Sequence, residues 1–89
     1  MPYIARKRRR ELVVGQDLPA TSGELNYTLT RECVNYVLAH GLEYRTINDV
    51  VGALESAKAE FQRRVVGPYE DLKRDINGDV YPIQLVGDE

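Results

Sequence analysis

Tryptophan is absent from this chain, and cysteine, histidine, methionine and phenylalanine each occur once. Cys33 alone forms no internal disulfide, and together with His40 it falls short of the four ligands of a structural zinc site. No apolar run approaches the roughly 20 residues that cross a bilayer, and Met1–Arg10 has no apolar stretch of the kind that follows the basic start of a secretory signal. A glycine-rich phosphate loop, a serine elbow and a catalytic triad are all missing. The expectation is a cytoplasmic protein that is not an enzyme, crosses no membrane and uses no metal or cofactor. A chain of 89 residues forms one small domain, which buries too little surface for a comfortable core. With disulfide and zinc excluded, a homo-oligomer is the expected remedy.

What the chain does have is a split charge. Its formal net charge is −2, yet Arg6, Lys7, Arg8, Arg9 and Arg10 supply five of its twelve bases, so residues 11–89 carry seven bases against fourteen acids. An acidic body repels a phosphate backbone. Nucleic-acid contact is therefore expected only through residues 6–10.

Spacing predicts an all-α fold: a helical hairpin of two longer helices, a short third helix and an extended C-terminal tail. Residues 1–20 read as a basic arm and linker, with a short helix over Ala5–Val14 ended by Gly15 and anchored by Leu12, Val13 and Val14. Five consecutive like charges disfavour that helix in isolation, so the arm is expected to be mobile or ordered by a partner. Residues 21–81 read as the helical domain and residues 82–89 as the tail. Thr21 or Ser22 caps the first long helix, Glu24 lies in its first turn and Gly41 stops it. Its apolar positions (Leu25, Leu29, Cys33, Tyr36; Tyr27, Val34, Leu38) cover an arc wide enough to touch two neighbours, one of them in a second subunit. Thr46 and Asp49 fit a capping box for the next helix, whose apolar face runs Ile47, Val50, Val51, Leu54, Ala57, Phe61, Val65. Gly67-Pro68 predicts a stop, and Pro68 then starts a third helix, with Glu70 and Asp71 opening it, Lys73 and Arg74 closing it and Asn77-Gly78 ending it.

The densest cluster of acids, aromatics and turn residues is Gly67–Tyr81. Asp75, Asn77 and Asp79 around Gly78 do not make a calcium loop, because glycine falls at position 4 where an EF-hand needs it at 6, and position 12 is Val86. Glu70 and Asp71 diverge on a helix, which is poor geometry for a pair of acid/base carboxylates. Lys58 interrupts an apolar face; snorkelling or pairing with an acid explains it more simply than a lowered pKa. Helix grammar does not require Tyr69, Asp79 or Tyr81. Arg63 and Arg64, besides favouring a helix end, offer forks of donors to a phosphate or a carboxylate. These five residues are the candidate ligand- or partner-binding set.

Gly23-Glu24-Leu25-Asn26-Tyr27, the run from Ile47-Asn48 to Arg63-Arg64, Pro68-Tyr69-Glu70-Asp71 and Asn77-Gly78-Asp79-Val80-Tyr81 together resemble a family of short proteins of unknown function from bacteriophages, bacteria and archaea. The resemblance covers residues 22–81 and implies no activity, substrate or cofactor; it makes a phage setting a natural expectation. Three functions stay open. The first is a non-enzymatic binding or inhibitor protein that engages a host protein. The second is a sponge for a phosphate-bearing nucleotide, cyclic ones included, held by Arg63 or Arg64 with Tyr69. The third is nucleic-acid binding through the basic arm.

Overall fold

The computed structural model describes residues 2–87, and the protein is all-α, with no strand among them. Helix α1 spans Arg6–Val13, α2 Ser22–His40, α3 Tyr44–Phe61, α4 Gly67–Asn77 and α5 Ile83–Val86, with a π-helical turn, Gln62–Val66, between α3 and α4. Contacts divide the chain into two units, Met1–Val51 and Gly52–Glu89.

In the first unit the capping grammar holds. Thr21 is the N-cap of α2, its hydroxyl accepting from the Glu24 amide at 3.1 Å. Gly41 ends the helix at φ 96°, a left-handed value that an L side chain adopts at a cost. The basic arm is helical as spaced, but the partner it was expected to need lies within the chain. Arg8 donates through Nε to Glu24 and through Nη1 to Asp17, both at 2.8 Å, and reaches Glu11 at 3.3 Å and the Leu18 carbonyl at 3.1 Å. One guanidinium thus fastens α1, the linker and the start of α2 together, while Leu12 and Val13 are half-buried and Val14 stays open.

The expected capping box at Thr46 and Asp49 is replaced by other contacts. α3 begins at Tyr44, so Thr46 lies inside its first turn, where it is 3% exposed. Asp49 instead accepts from the Tyr36 hydroxyl at 2.9 Å, tying the last turns of α2 to the start of α3. The Tyr36 ring stacks on His40, centroids 4.2 Å apart. That hydrogen bond to a carboxylate holds the Tyr36 phenol above its ordinary pKa.

The second unit corrects the predicted stop at Gly67-Pro68. The helix does not end there. Proline lacks the N–H that would bond to the carbonyl four residues back, and its ring collides with that carbonyl in a regular α-helix. Here the preceding turn widens to the π register, in which the Gly67 amide donates to Gln62, five residues back. Pro68 then falls in the first turn of α4, where no N–H is missed. Two helices expected to be separate are one rod with a wide turn in it. The exit is as predicted: Gly78 closes α4 at φ 88°. The tail, expected to be extended, forms one helical turn, α5, after Pro82; residues 88 and 89 lie outside the described part.

Among the described residues no apolar side chain is buried. Leu25, Leu29, Val51, Leu54, Phe61 and Val65 are all between 44% and 60% exposed, although their spacing marks them as the core-facing stripes of α2 and α3.

Candidate functional site

The five candidate residues do not converge. Arg63 and Arg64 lie in the π turn, and Arg63 forms a fork with Glu60, three residues back, through contacts of 2.9 to 3.2 Å. Arg64 has no ion pair among the described residues. Tyr69 sits in the first turns of α4 with the Lys73 ammonium 5.6 Å from its ring centroid, a cation–π contact along one helix face. Asp79 accepts from the Tyr81 amide at 2.9 Å, an Asx turn that shapes the exit from α4.

Asp79 and Tyr81, but none of the other three, line an open cleft of about 560 Å³ with Glu70, Asp71, Arg74 and Val86 among its walls. Its walls carry both acids, Glu70, Asp71 and Asp79, and bases, Lys73 and Arg74. Among the described residues no set of three or more His, Cys, Asp or Glu is placed to hold a metal ion. Lys58 is exposed and makes no ion pair there, as a lysine snorkelling at the edge of an apolar face does.

The basic arm is where the structure sorts what the sequence ran together. Four of its five bases divide between two sides of α1, with Lys7 exposed and on neither. Arg8 is spent on its three carboxylates, which hold it more firmly protonated, while the Ala20 amide and, after it, the Arg8 guanidinium hold the Glu24 carboxyl below the ordinary glutamate range. Arg6, Arg9 and Arg10, spaced i, i+3, i+4, instead line a shallow cleft of about 410 Å³ with Arg31 and Tyr27 of α2. The Arg9 Nε is itself buried and has no hydrogen-bond partner among the described residues. A second cleft, of about 290 Å³, shares Arg9 and Tyr27 and adds Tyr3, Ile4 and Thr30. Arg31 and Tyr27 escaped the sequence reading because nothing local couples them to an arm about 20 residues away. The one available signal was that Glu24, an acid in reach of the arm, sits on the same helix.

Compared with known proteins, residues 1–80 match the model of a family described as "Domain of unknown function (DUF6899)". No curated protein and no solved structure matches the chain.

Proposed function

We propose, for a chain that belongs to the DUF6899 family and so inherits no activity by kinship, that it is a non-enzymatic binding protein whose folded form is a self-associated helical assembly. The observation that carries this is the absence of any buried apolar side chain among the described residues, beside two helices patterned to bury one face each. Apolar surface of that extent stabilises a fold only when it leaves water, at about 25 cal/mol per Å². A second copy is the first occupant we assign to these apolar faces. The acidic outer side of the second unit, Glu55, Glu60, Glu70, Asp71 and Asp75, is left to face a further protein partner, in a host cell if the chain is phage-borne.

Light scattering on the eluting protein tests this, with a mass of at least two copies of the 10.1 kDa chain expected at micromolar concentration. A cooperatively melting 10.1 kDa species whose Tm ignores concentration overturns it. A thermal-shift screen of linear and cyclic nucleotides separates this reading from a nucleotide sponge, since a ligand of the folded state raises Tm. Little shift is expected at Arg63 and Tyr69, whose contacts are already taken by Glu60 and Lys73.

A further inference from the structure

Four guanidiniums meet in the α1–α2 cleft, and among the described residues no carboxylate lines it. Arg6, Arg9, Arg10 and Arg31 also form no ion pair within 4.0 Å among the described residues, whereas Arg8 next door has three. Cations gathered this closely repel one another, and that cost falls when an oxyanion enters. The first unit as a whole is not acidic: residues 1–51 hold seven bases and six acids, three of those acids being the ones around Arg8.

The form of the cleft narrows the anion. A pocket for a free small molecule encloses most of its ligand, but this one is open, and its walls Arg9 and Tyr27 are shared with the neighbouring cleft that carries Tyr3. Tyr3 is 84% exposed, an aromatic ring with no packing role. A row of guanidiniums bordered by an exposed tyrosine, Tyr3, and a half-buried one, Tyr27, is an arrangement that can hold a nucleic-acid strand, phosphates on the cations and bases stacked on the rings. A protein carboxylate would need one or two of the arginines and neither tyrosine. We propose that this cleft binds single-stranded nucleic acid, with Arg6, Arg9, Arg10 and Arg31 on the phosphates and Tyr27 and Tyr3 beneath bases. The proposal stands apart from self-association and needs no second copy.

Fluorescence anisotropy of the full-length protein with an oligo(dT) of about 20 nucleotides, titrated between about 50 and 200 mM salt, reads both cation and ring contributions. Four phosphate contacts predict a slope of log K against log salt of about −3. The double variant Arg9→Ala, Arg31→Ala is expected to flatten that slope by about 1.4. Tyr3→Ala is expected to weaken binding about fivefold or more with the slope unchanged. Because Tyr3 stands clear of the fold, that variant stays informative even if the double variant loses helicity. Arg74→Ala, which removes one positive charge in the second unit, is expected to alter neither. Absence of binding at the lowest salt, an equal effect from Arg74→Ala, or tighter binding of duplex than of single strand overturns the proposal. So does a double variant that changes the mass in light scattering without changing the isotherm, which would make the cleft a contact between copies.

Discussion

Arg8 donates to three carboxylates and a carbonyl, so its neighbours in sequence and its neighbours in space impose opposite demands on one residue type. Arg8→Ala is expected to release α1, read as markedly faster trypsin cleavage after the remaining bases of residues 6–10, whereas Lys7→Ala, on an exposed side chain without an acid partner, leaves that rate almost unchanged. Equal acceleration by both variants contradicts the latch. At Thr21 the hydroxyl meets the Glu24 amide, and Thr21→Ala is expected to cost about 1 kcal/mol, measured by denaturant unfolding. Gly52 lies inside α3 with no atom within 4 Å of a Cβ built on it. Gly52→Ala is expected to stabilise by about 1 kcal/mol through helix propensity alone; a loss of stability together with a fall in assembly mass shows that the site is covered by another copy. Residues whose role is set within one turn, Thr21, Gly41 and Gly78, are readable from sequence for that reason. The division of labour between Arg8 and Arg9 is not, since it depends on Asp17 and Glu24, 9 and 16 residues from Arg8.

Helix α1 is eight residues long, below the length at which an isolated helix holds in water, and it carries five like charges in and around its first turns. Its persistence is therefore tied to the Glu24 carboxylate, whose folded pKa is depressed by the Ala20 amide and by Arg8. A depressed acid contributes stability that is complete above the ordinary glutamate value of about 4.3 and drains away as pH falls through the lower folded value. The protection factor of the α1 amides, the observed rate set against the intrinsic rate at each pH, should accordingly hold from neutral pH to mild acid and fall below that point, before that of α2; protection in α1 lost between neutral pH and mild acid contradicts this. The rod formed by α3, the π turn and α4 shows where element-level reading stops. Proline and glycine side by side signal a break in any sequence, and a break would have left Arg63 and Arg64 at a free helix end. The helix continues because one wide turn absorbs the ring of Pro68, an arrangement that costs too little locally for composition to reveal it.

Across the whole molecule, the apolar stripes were legible and their burial was not, because periodicity reports which residues face a core without saying whose core it is. Leu54→Asp is expected to dissolve the assembly, with the light-scattering mass falling to 10.1 kDa and helicity falling with it. An unchanged mass places the contact elsewhere. The π turn has a bearing on how any partner meets the second unit. In an unbroken α-helix Tyr69, Leu72 and Ile76 would prolong the line drawn by Phe61 and Val65, but a turn that takes up one additional residue sets the following side chains back by about 100°. The rod thus carries two apolar facets meeting at a corner at Gln62–Val66. A straight partner helix follows one facet and must abandon the other, so the second is left free for a different molecule or for a partner that bends where this chain does.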